Sequence, residues 1–358
     1  MFPIGALHLG LMVAIAFACV VLWNQIFASL SAGYPIVTYE SRRPVPWGPR
    51  DVVLIVVGTI LIIRVCAWPL TALTHHESEN VVATSEEAAT AQDARESQAN
   101  PQDESSAKAD QETEAPATER TFALVAASAS GTFLAMLGAI SWLRFRGASL
   151  ADLGLDGSRL SRDFQLGVAG FVVASMPIYI IQYLAARYIP AHHPVTDIFQ
   201  ASPNPMMLLV TVVSAVVVAP MTEEFFFRVL LQGWLEARFA ERRNDAILTT
   251  SDEAMVEGLP DQGGLVVPGE PAAPASDSES RFLAQPIAVE QPSVIPILLS
   301  SFIFAIVHLG YGPSALPLFF FALVLGYLYR QTHRVWPSLI AHASLNALST
   351  FIMITSPS

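Results

Sequence analysis

Eight apolar runs, each near the roughly 20 residues that a membrane-crossing helix needs, govern what this chain can become. They are Leu7–Leu30, Asp51–Ala72, Phe122–Trp142, Phe164–Ala186, Met206–Arg238, Val294–Leu309, Ser314–Tyr329 and Val335–Ile354. In hydrocarbon every backbone N–H and C=O must be satisfied internally, which leaves helices or closed barrels, and runs this continuous lack the alternation of barrel strands. The expected fold class is therefore all-α, a polytopic transmembrane helical bundle of about eight spans. With 53% hydrophobic and 14% charged residues, the composition excludes an ordinary soluble domain. The first run lacks the basic flank and small-residue cleavage site of a removable signal, so it is expected to stay as a helix.

Between the spans the composition divides the chain. Residues 1–76 carry two N-terminal transmembrane helices, 77–120 an acidic linker, 121–243 further helices, 244–293 a second acidic insertion and 294–358 the last helices. The stretches Glu77–Arg120 and Asn244–Pro292 lack apolar periodicity and read as disordered loops. They carry net charges of −9 and −8 against −12 for the whole chain, so the remainder is basic. Arg42, Arg43, Arg50, Arg144, Arg146, Arg159, Arg162, Arg238, Arg242, Arg243, Arg330 and Arg334 all fall in alternate connections. The positive-inside rule puts those connections in the cytoplasm and the N-terminus outside. The expected location is multi-pass, in a bacterial cytoplasmic membrane; the bilayer is the partner this composition requires, and nothing calls for nucleic acid. Cys19 and Cys66 lie in apolar runs and read as packing residues. Trp47, Trp68, Trp142 and Trp336, near span ends, read as interfacial anchors. His75, His76, His192 and His193 fall in connections without a carboxylate or thiol to complete a metal site.

The stretch TEEFFFR, Thr222–Arg228, brings two carboxylates and a guanidinium into an apolar helix, where charge is costly and marks function by default. Glu224 and Arg228 stand at i and i+4 and can neutralise each other, whereas Glu223 points about 100° away around the helix. An unpaired carboxylate in a partly dry cavity suits a general base. Pro220 lies three residues before Glu223 and is expected to open the helix backbone there. Two later helices add polar groups at the same i, i+4 spacing: Phe304 with His308, and His342 with Asn346. Each group alone has a bland reading, an ion pair or an interhelical hydrogen bond. Three apolar helices each offering groups of catalytic type favour one shared site.

In order on successive membrane helices, EExxxR (Glu223, Glu224, Arg228), FxxxH (Phe304, His308) and HxxxN (His342, Asn346) resemble the motifs of the CPBP family, the CAAX prenyl protease and bacteriocin-processing intramembrane proteases. The approach GYLYRQTHRVWPSLIAHASLNAL, Gly326–Leu348, and the segment RGASLADLGL, Arg146–Leu155, are similar to that family too. Where many members have glycine after the motif arginine, this chain has Val229. The resemblance implies hydrolysis of a peptide bond in a peptide or protein substrate, for which a prenylated, membrane-bound chain is the family archetype. Glu223 and His308 would activate water, His342 and Asn346 would stabilise the oxyanion, and Glu224 and Arg228 would fix the geometry. No cofactor is expected. Two histidines and a carboxylate are compatible with catalytic zinc, but HExxH is absent and the reading favours a metal-independent glutamate mechanism; no GxSxG turn supports a serine nucleophile. The alternatives are a non-catalytic scaffold or bacteriocin-immunity protein, and a proton- or ion-coupled transporter.

Overall fold

The structure, a computed structural model, describes residues 4–41, 44–68, 106–189, 205–243 and 293–355. Among these there are eight helices and no strand: α1 (Ile4–Ser31), α2 (Pro49–Trp68), α3 (Ser106–Phe145), α4 (Leu160–Ala185), α5 (Pro205–Arg243), α6 (Ile295–Val307), α7 (Ala315–Thr332) and α8 (Val335–Thr355). Seven are long and apolar enough to cross a bilayer. The sixth, expected over Val294–Leu309, is shorter: its 13 residues reach about 20 Å, less than the hydrocarbon thickness. It stops at His308 because Gly310, Gly312 and Pro313 follow, and the chain continues as a 3₁₀ turn, Leu309–Ser314. The third helix begins at Ser106, inside the stretch expected as a loop, where Ala, Glu, Gln and Lys are all good helix formers. Residues 69–105, 190–204 and 244–292, which include His75, His76, His192 and His193, lie outside the described residues.

Apolar side chains point outward, as lipid-facing ones should: Phe17, Val65 and Phe145 are all exposed. Polar ones are sequestered, with Asp163, Glu224, Arg228, Gln232, Ser300 and Ser338 wholly buried. Helices approach closely where a side chain is missing. A Cβ on Gly167 of α4 would come within 2.6 Å of Ile340 in α8, and one on Gly170 within 2.7 Å of Leu328 in α7. Pro177 inside α4 has no N–H for the Val173 carbonyl, and α1 fills the gap: Trp23 Nε1 donates to that oxygen at 3.2 Å and Cys19 Sγ at 3.6 Å. Trp47 is not an interfacial anchor. It is 3% exposed in an apolar cluster with Leu143, Leu153 and Leu230, and its indole donates to the Leu230 carbonyl at 3.2 Å.

Ion pairs gather the arginine-bearing connections on one face. Glu40, after α1, holds Arg159 at 3.0 Å, Arg162 at 2.8 Å and Arg334 at 2.6 Å. Arg334, in the α7–α8 turn, also forks onto Asp163 at the start of α4. Asp51 meets Arg146 at 3.3 Å, joining the start of α2 to the end of α3. His333 lies 3.3 Å from Glu236 in α5. At the opposite face His8 of α1 hydrogen-bonds Thr355 at the end of α8. The helices thus alternate in direction.

Candidate active site

Glu223 and Glu224 come from the middle of α5, a helix of 39 residues whose backbone is not α-helical throughout. Two π-helical segments, Ser214–Val218 and Phe225–Gln232, flank the carboxylates. In the first, the Ala219 N–H reaches back five residues to Ser214. Pro220 has no N–H to offer, so the Ala215 carbonyl loses both its α and its π donor. Asn346 of α8 supplies one instead, its Nδ2 donating to that oxygen at 2.8 Å. The opening expected near Pro220 is thus part of how α5 and α8 are joined. Thr222 Oγ1 caps the neighbouring Val218 and Ala219 carbonyls at 2.9 Å each.

Glu224 and Arg228 sit behind the site with side chains of 0% exposure, the guanidinium Nε donating to the carboxylate at 3.3 Å. Arg228 is held further by α6. Its Nη1 donates to Ser300 Oγ at 3.2 Å, that hydroxyl donates to the Phe227 carbonyl at 2.9 Å, and the guanidinium lies 5.6 Å over the Phe304 ring. The second oxygen of Glu224 meets His342 Nδ1 at 2.8 Å. An ionised carboxylate only accepts, so Nδ1 carries the proton and Nε2 faces away from Glu224. The same reasoning fixes His308, whose Nδ1 lies 2.6 Å from the Phe304 carbonyl. Both imidazoles therefore aim Nε2 at Glu223, His342 at 3.7 Å and His308 at 3.9 Å from the same carboxylate oxygen. Those separations exceed hydrogen-bonding distance and suit a group shared between them. Phe304 stacks against His308 at 4.5 Å and meets His342 edge-on at 5.9 Å.

A cavity of about 580 Å³ opens in front of this cluster, lined by Glu223, His308, His342 and Asn346 and walled by α3 and the first half of α5. All six residues singled out from the sequence are thus gathered here: four face the cavity, and Glu224 and Arg228 lie buried behind it. Val229, in place of the family's glycine, is 1% exposed in the core beside Trp47. The sequence reading missed Ser300, the Ala215 carbonyl and the α3 wall, on which Leu124, Ser128 and Thr132 recur every four residues. The i, i+4 spacing of the two hydroxyls, Ser128 and Thr132, in an apolar helix was the available signal. Among the described residues no three His, Cys, Asp or Glu side chains are arranged to hold a metal ion.

The pattern of the family described as type II CAAX prenyl endopeptidase Rce1-like matches residues 205–251 and 280–348. Every motif residue lies inside those two segments. The match bears out the resemblance to the CPBP family. No curated protein and no solved structure matches the chain.

Proposed function

We propose that this CPBP-family chain is an intramembrane endopeptidase that cleaves peptide bonds with water activated by Glu223 and His308, in a bacterial cytoplasmic membrane. The observation that carries the reading is the convergence of Nε2 from two imidazoles on one carboxylate oxygen, at 3.7 and 3.9 Å, beside an open cavity. Water bound between Glu223 and His308 Nε2 gives a proton to the Glu223 carboxylate as its oxygen bonds to the scissile carbonyl carbon. The resulting oxyanion lies toward His342 and Asn346. His342, when protonated on both ring nitrogens, donates from Nε2, and Asn346 donates through the Nδ2 hydrogen that Ala215 does not use. The carbon–nitrogen bond then breaks, and Glu223 returns its proton to the leaving amine. Arg228 and Ser300 keep Glu224, and through it His342, in register.

The substrate is a peptide or protein segment, including lipidated ones, since most of the surface that the cavity exposes is apolar. The test is cleavage of a peptide library by detergent-purified protein, with and without a chelator. Glu223→Gln should lower the rate by about 10²–10⁴, the range of lost general acid–base catalysis, with helical content unchanged. Cleavage by that variant at the wild-type rate would overturn the glutamate mechanism. Loss of wild-type activity with chelator would overturn its independence of metal. An intact, well-folded protein that cleaves nothing would favour the scaffold role.

A further inference from the structure

The cavity is not symmetric across the membrane. From Glu223 its wall follows α5 back to Thr211, about 18 Å along the helix, and takes in Ser128 and Thr132 from the first half of the α3 span. Both lead away from the arginine face. In the other direction the interior is packed solid: Glu224, Arg228, Gln232, Ser300 and Tyr329 have no exposed surface at all. A chain reaching Glu223 therefore has a path from one side of the bilayer and a wall on the other.

Thr211 is a second, independent pointer. It lines the cavity at the end remote from Glu223, it is 1% exposed, and its hydroxyl has no hydrogen-bond partner among the described residues. A buried hydroxyl is costly to leave unpaired, and this one takes no part in the chemistry derived above. A backbone carbonyl or N–H of a bound peptide would satisfy it. At about 3.3 Å per extended residue, its distance from Glu223 corresponds to five residues of substrate.

We infer that substrate enters this site from the extracytoplasmic side, between α3 and the first half of α5, and that Thr211 binds the peptide backbone about five residues from the scissile bond. The side follows from the arginine connections, which the positive-inside rule assigns to the cytoplasm. The substrate is then a peptide segment offered at the outer leaflet, by a secreted or membrane-tethered chain, rather than a cytoplasmic C-terminus. The identity of the occupant as substrate rests on the endopeptidase reading; the side of access does not.

The test is thiol accessibility in a chain carrying Cys19→Ser and Cys66→Ala. Thr132→Cys reports the cavity and Ser158→Cys, exposed beside Arg159, reports the arginine face. A membrane-impermeant maleimide applied to spheroplasts should label Thr132→Cys at least about tenfold faster than it does in inverted vesicles, and Ser158→Cys the reverse. Ser128→Cys is the second cavity reporter should Thr132→Cys fail to give a monodisperse detergent extract. Faster cavity labelling from the cytoplasmic side, labelling only after denaturation, or Ser158→Cys labelled from outside would each overturn the inference. Labelling needs no turnover, so the expected pattern on a protein that cleaves nothing would sink the endopeptidase reading alone. For the subsite, Thr211→Val should raise KM by about 3- to 10-fold with little change in kcat for a peptide long enough to reach it. A peptide ending two residues from the scissile bond should be unaffected. Equal effects on both peptides would remove Thr211 from the binding site.

Discussion

Adjacent glutamates carry opposite burdens. Glu224 accepts from Arg228 Nε at 3.3 Å and from His342 Nδ1 at 2.8 Å with no exposed surface, so it neutralises a buried guanidinium and fixes an imidazole tautomer at once. Glu223 is 27% exposed toward the cavity and meets its two imidazoles only beyond hydrogen-bonding distance. Replacing Glu224 by Gln keeps the shape but leaves Arg228 charged, buried and without its counter-ion, an arrangement that costs about 3–5 kcal/mol. Thermal unfolding in detergent should therefore show a large fall for Glu224→Gln and almost none for Glu223→Gln, while peptide cleavage is lost in both. Equal melting temperatures for the two variants would refute this division. The sequence displayed half of it: i, i+4 spacing predicts the Glu224–Arg228 pair and leaves Glu223 free. It could not show that His342 completes the pair, because that contact joins residues 118 positions apart.

At the scale of the elements, α5 is the unusual member. Its long apolar stretch reads as one straight helix, yet it contains two π segments, and carbonyls within them accept from side chains elsewhere: Ala215 from Asn346, Phe227 from Ser300, Leu230 from Trp47. Pro220 hinted at the first. Nothing local marked the second, since a π turn differs from an α turn only in which carbonyl an N–H selects. Trp47 was misread because its partner, the Leu230 carbonyl, lies 183 positions away along the chain. Against this segment α7 presents Gly326, whose carbonyl accepts from Gln232 Nε2 at 2.9 Å. An added Cβ would stand 2.9 Å from both Gln232 Oε1 and Ile297 Cγ2, and 3.4 Å from Arg228 Nη1. Gly326→Ala should therefore push α7 off α5 and α6, destabilising by about 1–3 kcal/mol as overpacked cores do. Cleavage should fall beyond what the unfolded fraction explains, because Arg228 moves with the interface. A melting temperature and specific activity equal to wild type would show that the helices have slack there.

At the scale of the whole molecule, the eight helices of the described residues and their alternating direction were legible, because hydropathy and arginine placement report directly on the bilayer. How the N-terminal helices attach to the motif-bearing ones was not, for besides the contacts of His8, Cys19, Trp23 and Trp47 it uses one acidic residue in an unremarkable connection. Glu40 lies outside the segments matched to the protease family, yet it binds Arg334 between α7 and α8, and its N–H donates to the Gln331 carbonyl at 2.8 Å. The hydrogen bond from Arg334 holds the Glu40 carboxyl below its ordinary 4.5 despite partial burial, with Arg159 and Arg162 adding to the effect. Arg334 keeps its proton more firmly in turn, chiefly through its hydrogen bonds to Asp163. A folded-state value below the unfolded one means that Glu40 stabilises the fold above about pH 4.5 and that this contribution fades as the pH falls through the lower folded value. Glu40→Gln should thus be less stable than wild type by about 1–2 kcal/mol at pH 7, more than an isolated surface pair because three guanidinium groups share one carboxylate. The two melting curves should converge as the medium is acidified below pH 4.5, where the wild-type side chain becomes as neutral as glutamine. A gap that stays constant from neutrality to pH 3 would mean that the glutamate acts by shape alone and that the arginines are held by something else.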